Sequence, residues 1–384
     1  MPEAYIVSAA RTAGGRKGGR LAGVHPVDLA AIALDAAAER SGIDPAAIDD
    51  VIMGCVTQAG EQSLHVGRNA VLASRLLPQS VPAATIDRQC GSSQQAIHFA
   101  AQAVMSGTQD VVIAAGVESM TRAPMGLSVV ADKGFNPFPP SVTGKYGVPM
   151  FSQFMGAEMI ARKYGYSREK LDEYALRSHQ RAKAATEAGA FGAEIVPVTL
   201  DDGTVHSVDE GIRFDASIEG IAAVKLLKED GAISAASASQ ICDGSAAVMI
   251  VSEAALKAHG LTPLARIHNL TVTAGDPVIM LEEPLFATDR ALRRAGMTIA
   301  DIDLYEVNEA FAPVPLAWLG HVGADAERLN VNGGAIALGH PLGASGAKLM
   351  TTLVHALRAR GLRYGLQTMC EGGGIANVTI VEAL

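Results

Sequence analysis

Ser41-Gly42-Ile43-Asp44-Pro45-Ala46-Ala47-Ile48-Asp49-Asp50-Val51-Ile52-Met53-Gly54-Cys55 is echoed in the last quarter of the chain by Ala295-Gly296-Met297-Thr298-Ile299-Ala300-Asp301-Ile302-Asp303-Leu304-Tyr305-Glu306-Val307-Asn308. In each, a glycine suited to end a helix is followed six residues later by isoleucine and aspartate, which lead into a short apolar run. Further spacings agree. From Asp49 to Ser93 is 44 residues and from Asp303 to Ser345 is 42, and each serine lies in a Gly/Ser turn that opens a long helix. A short strand ending in glycine follows each helix, Val111 to Gly116 and Gly365 to Gly374. These matches, in order, predict two copies of one α/β unit about a pseudo-twofold axis. Equivalent loops carrying Cys90, Asn308, His340 and Cys370 then converge at the strand ends, where α/β sheets place ligands.

Strand-like runs at Tyr5 to Ser8 and Val378 to Val381 and helical stretches at Pro26 to Arg40 and Gly343 to Arg360 support the same α/β class. Between about 121 and 240 the texture changes. Pro124, Pro137, Pro139, Pro140 and Pro149 come first, then a charged helix near Arg168 to Ala188, then polar turns. This reads as an inserted loop domain, leaving 1–120 with about 241–264 as one half and 265–384 as the other.

With 384 residues, 49% of them hydrophobic, the chain has material for a large core, and 40 glycines against 4% aromatics suit tight turns and close helix-sheet packing. A net charge of -9 gives no general attraction for nucleic acid or anionic lipid. Runs such as Val111 to Val117 are too short to span a bilayer, and Met1 to Ala10 lacks a charged segment followed by an apolar one, so a soluble cytoplasmic protein is expected. Arg11, Arg16, Lys17 and Arg20 among Gly14, Gly15, Gly18 and Gly19 read as a basic loop, whose simplest interpretation is a solvated turn. Cys55, Cys90, Cys242 and Cys370 show no C-x-x-C spacing, and no zinc, dinucleotide or P-loop motif occurs.

Cys90, in Asp87-Arg88-Gln89-Cys90-Gly91-Ser92-Ser93, precedes a helix that Gly107 stops. A helix N-terminus favours thiolate over thiol, so an activated, lowered pKa is expected there; the competing reading is a small buried hydrophobe. His340 sits among Gly333, Gly334, Gly339, Gly343 and Gly346, a backbone that a ligand can approach closely, with Pro341 stiffening the exit. Cys370 ends a strand before Gly372-Gly373-Gly374, where backbone N–H groups can form an oxyanion hole. Two thiols and an imidazole suit acyl transfer; Cys55 and Cys242 read as structural.

Cys90-Gly91-Ser92-Ser93, Asn308-Glu309-Ala310-Phe311, Gly333-Gly334-Ala335-Ile336-Ala337-Leu338-Gly339-His340-Pro341 and Cys370-Glu371-Gly372-Gly373-Gly374 together resemble the four signature blocks of thiolases, in the family's order. The resemblance runs from about residue 4 to the C-terminus. It implies a five-layered αβαβα fold of two similar halves with a loop domain, and an acyltransferase using CoA as substrate with no metal or other resident cofactor.

It further implies that Cys90 carries the acyl group, that His340 accepts its proton, and that Cys370 moves the α-proton of acetyl-CoA. Asn308 would hold a water that, with His340, stabilises the enolate oxygen, and the N–H groups of Cys90 and Gly372 would stabilise the tetrahedral intermediate. Arg213, Leu227, Ala235 and Ser239 fall where the family contacts CoA, and Met155, Met280, Phe154 and Phe311 near the acyl pocket. Phe154 stands where many acetoacetyl-CoA thiolases have histidine, and Glu371 replaces a small or apolar residue. Both lean the reading towards degradative 3-ketoacyl-CoA cleavage over acetoacetyl-CoA synthesis. A decarboxylating ketoacyl synthase would carry histidine or asparagine in place of Cys370, and a non-catalytic lipid carrier would be expected to lack one of the three groups. A homodimer or homotetramer is expected, from the resemblance, from the all-apolar strand Val111 to Val117, and from a strand-like Ala84-Thr85-Ile86 at the family's dimer edge.

Overall fold

The computed structural model describes residues 2–129, 134 and 136–384. Nine longer strands run through one sheet: β1 (Ala4–Thr12), β2 (Asp50–Gly54), β3 (Ala83–Ile86), β4 (Val111–Ser119), β5 (Cys242–Ser252), β6 (Ala265–Ala274), β7 (Leu304–Val307), β8 (Tyr364–Glu371) and β9 (Ile375–Ala383). Their order is β7-β8-β9-β6-β1-β5-β4-β2-β3. On one side β2 and β4 pair in parallel while β4, β5 and β1 are antiparallel neighbours. On the other, β7 and β8 pair in parallel while β8, β9 and β6 are antiparallel. The predicted repeat is thus a repeat of topology. Even the parallel β2–β3 pair has a remnant, the single bridge Tyr305 to Leu329.

Six helices repeat with the strands: α1 (Pro26–Ser41), α2 (Val66–Ala73) and α3 (Ser92–Ser106) in the first copy, and α4 (Glu283–Ala295), α5 (Pro313–Val322) and α6 (Ser345–Ala359) in the second. Helix α1 starts where the His25 ring accepts from Val27 N and Pro26 supplies a fixed φ, and it stops at Gly42, whose φ of 73° a side chain would resist. Helices α3 and α6 lie between the two half-sheets. Their small faces, Ala96, Ala100 and Ala101 on one and Ala347 and Ala356 on the other, share a core with Val112, Val248, Ile250 and Ile267. Gly346 permits a backbone crossing, since a Cβ there would lie 2.1 Å from Gln94 N, and Ala347 N donates to Ser93 Oγ at 2.9 Å. Helices α1 and α2 cover the outer face of the first half-sheet, and α4 and α5 that of the second, completing five layers.

Two expectations are corrected. Strand β4 is apolar on both faces because its own chain covers it, with Ile113, Ala115 and Val117 facing α1 and Val112 and Ala114 facing α3. Its composition therefore carries no argument for a second subunit. Arg11 belongs to β1 rather than to a solvated loop, and is fully buried. Between β4 and β5 the described residues add helices Gln153–Lys163 and Arg168–Glu187 and only two-residue strands.

Candidate active site

The turn from β3 into α3 is tied by its own groups. Asp87 Oδ1 accepts from Gln89 N at 2.6 Å, Ser92 Oγ donates to Gln89 O at 2.6 Å, and Arg88 N donates to Ser92 Oγ at 2.9 Å. Gln89 takes a positive φ of 49°, which turns the chain sharply into Cys90. A side chain at Gly91 would collide with the carboxyl of Glu371, so this glycine allows the two copies to meet. Cys90 does stand before a helix, but the expected lowered pKa is not found. Burial pushes the thiol well above its usual range, and neighbouring Cys370 and Glu371 add to this. Desolvation outweighs the helix end, so a base has to take the proton.

Ser345 Oγ lies 2.9 Å from Pro341 O and 2.5 Å from His340 Nδ1; with its proton given to the carbonyl, the hydroxyl accepts from Nδ1–H, an arrangement that leaves the lone pair on Nε2. Asn308 Nδ2 lies 3.3 Å from that Nε2. Burial, then the charge of Lys348, lowers the imidazole to about 3, leaving it neutral at pH 7. The backbone is fixed where His340 N donates to Gln240 O at 3.0 Å and Gly343 N to Glu118 at 2.9 Å.

Asn308 follows β7, and its buried Oδ1 has no partner among the described residues. Next to it, the Glu309 carboxylate accepts from Tyr174, Ser178, Asn330 and the N–H of Ile336, clamping the glycine loop before His340. Cys370 lies in β8 opposite Ala376, and burial pushes its thiol up to about 12. Among the described residues, neither Cys90 N nor Gly372 N donates to another residue, which leaves two N–H groups for an oxyanion.

A cavity of about 600 Å³ opens on this region, lined by Cys90, Gly372, Met280, Leu342, Phe138 and Phe151 among others. Met280 and Cys90 therefore line one cavity. Phe154 and Met155 are half-exposed on their helix and do not line this cavity, and Phe154 packs edge-on against buried Phe311 at 5.4 Å. Ala235 and Ser239 sit beside the Asn308 block, where Ser239 N donates to Ala310 O and Ala312 N to Ser237 O. Leu227 is half-exposed, and Arg213 lines a separate cavity of about 420 Å³ with Arg16, Glu210, Phe214 and Gln240. Ser345, Gln240, Glu118 and Lys348 escaped the sequence reading. Only Ser345 had a local signal there, standing five residues after the histidine at a helix start. Among the described residues no cluster of three or more His, Cys, Asp or Glu is placed to hold a metal.

The helix-crossed double sheet, with two thiols and an imidazole at its strand ends, matches known proteins along the chain. Residues 4–254 match the thiolase N-terminal domain and 261–383 the thiolase C-terminal domain. The chain belongs to the thiolase family, and it is an acyltransferase. It is 52% identical to the steroid 3-ketoacyl-CoA thiolase FadA6 of Mycobacterium tuberculosis, over all of this chain and 95% of that one. It is 42% identical to a 3-ketoacyl-CoA thiolase of Erwinia tasmaniensis, over the full length of both. Among solved structures, human mitochondrial 3-ketoacyl-CoA thiolase in complex with CoA superposes with a TM-score of 0.90 at 38% identity, covering 100% of this chain and 98% of that one. The acetyl-CoA acetyltransferase of Bacillus anthracis does so with a TM-score of 0.91 at 37% identity, covering 100% and 99%.

Proposed function

We propose that this enzyme cleaves 3-ketoacyl-CoAs with CoA, giving acetyl-CoA and a shortened acyl-CoA, and that the preferred acyl group is branched or ring-bearing. The chemistry is supported by a buried, neutral His340 ring held at Nδ1 by Ser345, whose Nε2 serves as the base that the protonated Cys90 thiol requires. Cys90 sulfur, its proton passed to His340, attacks the 3-keto carbon, and the bond between C2 and C3 breaks. Cys370 protonates the departing acetyl-CoA carbanion, while Asn308 with its water and His340 steady the enolate oxygen. The N–H groups of Cys90 and Gly372 hold the tetrahedral oxyanion. The CoA thiol gives its proton to the Cys370 thiolate and attacks the Cys90 thioester; the Cys90 sulfur leaves and recovers its proton from His340 as the shortened acyl-CoA is released. Claisen condensation is the same path reversed.

Segment 121–240 acts as the loop domain that receives CoA, through Arg213, Leu227, Ala235 and Ser239. The bulky acyl preference is supported by the breadth of the apolar cavity and by the name of the mycobacterial relative. Thiolysis rates over a graded panel of 3-ketoacyl-CoAs test it. A ring-bearing substrate should exceed acetoacetyl-CoA in kcat/KM by about tenfold or more, the discrimination available to a hydrophobic pocket. Equal rates, or a preference for acetoacetyl-CoA, would remove the acyl assignment and leave the reaction.

A homodimer or homotetramer is supported by β3, an edge strand whose outer side is unpaired among the described residues and whose Ala84 is exposed. A cytoplasmic site of action is supported by four buried free cysteines, and no helix among the described residues is long and apolar enough to cross a membrane.

A further inference from the structure

Lys348 lies on α6 one turn beyond Ser345 and is buried. Its Nζ donates to Leu338 O at 2.5 Å and lies 3.5 Å from both Gly339 O and Asp209 Oδ1. The two carbonyls are those of the residues just before His340. Asp209 comes from the segment inserted between β4 and β5, and its carboxylate also receives Arg11 Nη1 at 2.9 Å, Arg11 Nη2 at 3.1 Å and Gly14 N at 2.7 Å. Arg11 Nε reaches Glu194 at 2.7 Å, and Glu194 accepts from Thr352 back on α6 at 3.0 Å. Two cations and two anions thus form a neutral, buried network. Burying an ammonium is costly unless each donor is used, and an apolar chain of similar length would fill the same space without that cost. The charge therefore has a use that packing does not supply.

We propose that Lys348 is a positioning residue that couples the Asp209 segment to the His340 turn and keeps the imidazole in its proton-accepting form. This rests on the reading of His340 as the base for Cys90. A second link runs beside it: Gln240 Nε2 donates to Gly211 O at 2.8 Å and to Ile336 O at 2.7 Å, while Gln240 O receives His340 N. Residues 209–213, which lead to Arg213, thus grip the histidine turn from two sides. The groups arranged around that turn are Asn308 and Ser345 on the ring, Cys242 against Gly339, Glu118 holding Gly343 N, and Asp209 behind Lys348. The thiols Cys90 and Cys370 complete the site. Burial opposes a proton on the ring first and the charge of Lys348 adds to it, while Asp209, 3.5 Å from Lys348 Nζ, shares its two oxygens with Arg11.

The test is a nitrogen-15 NMR titration of the imidazole in the intact enzyme, with the signal assigned by its loss in His340→Asn, alongside the pH profile of thiolysis. The wild-type ring should remain neutral at pH 5. In Lys348→Met the ring's midpoint should rise by about one pH unit or more, the acid limb of kcat/KM should rise with it, and Lys348→Arg should return both towards wild type. A folded Lys348→Met whose midpoint and acid limb stay in place overturns the proposal. A wild-type ring that titrates near its ordinary value of about 6.5 also overturns it, and that measurement needs no variant. The NMR readout reports on Lys348 whether or not His340 carries a proton in catalysis. Retained thiolysis in His340→Asn would instead defeat the role of His340 as base.

Discussion

The two copies of the α/β unit place different chemistry at matching points. Gly54 stands opposite Gly116 in the first copy and Val307 opposite Thr368 in the second, so two residues further on Glu118 corresponds to Cys370, and one residue past the short strand Cys55 corresponds to Asn308. In the first copy these positions are satisfied. Glu118 accepts from Val56 N, Thr57 N, Gln62 Nε2 and Gly343 N, and the Cys55 sulfur receives Gln62 Nε2. In the second, Asn308 Oδ1 lacks a partner among the described residues and Cys370 lines up with a glycine loop whose Gly372 N–H is free. One copy thus uses these positions as a brace, while in the other part of their bonding capacity is left unused, at the cost that unsatisfied buried polar groups carry.

The sharpest way to break this comparison is at the cysteines. Cys90→Ala should lower thiolysis by about 10⁴-fold or more and abolish acyl-enzyme, as loss of a covalent nucleophile does. Cys370→Ala should lower it by about 10³-fold yet still become acylated at Cys90, while acetyl-CoA α-proton exchange with solvent disappears. Mass spectrometry of the acylated peptide and exchange into deuterated water read the two outcomes. Acyl mass on Cys370, or undiminished exchange in its alanine variant, would make the two positions alike.

A smaller effect belongs to the brace. Glu118→Ala strands three backbone N–H groups and should destabilise the fold by about 3 kcal/mol, with Glu118→Gln recovering part of this. Urea unfolding measures it, and a loss under about 0.5 kcal/mol would show that the carboxylate braces nothing.

The last prediction is a pH slope to which each copy contributes a histidine. Burial lowers both His98 on α3 and His340 before α6 to about 3, against an unfolded value near 6.5. Above that value neither state binds the proton. As pH falls towards 3 the unfolded chain takes it up first, so stability should drop by up to about 1.4 kcal/mol per pH unit for each histidine. Unfolding free energies at pH 7 and pH 5 should show this, with a shallower fall in His98→Gln.

The repeat was legible because it is written in local signals, glycine stops and Gly/Ser helix starts at equal spacing. The site was legible where glycine crowds around Cys90, His340 and Cys370. What stayed hidden depends on burial or on partners far apart in sequence. Arg11 resembled a loop arginine because Glu194 and Asp209, its partners, lie in another segment. The Cys90 thiol was misjudged because a helix end is visible in sequence and desolvation is not. Strand β4 suggested a subunit interface because the sequence does not reveal whether α1 and α3 cover it.

The place of β1 at the centre of the sheet has a consequence for how the molecule is made. Its main neighbours are β5, ending at Ser252, and β6, ending at Ala274, so a strand made well before either waits for both flanks, with only Ile195–Val196 pairing at its end earlier. At about 5–20 residues per second, β1 waits roughly 10–50 s after emerging before β5 can reach it. During that interval an apolar strand has two open edges, the condition that favours pairing with other chains. The newborn chain therefore passes this interval with α1 and β2 to β4 already available and β1 still without β5 and β6 beside it.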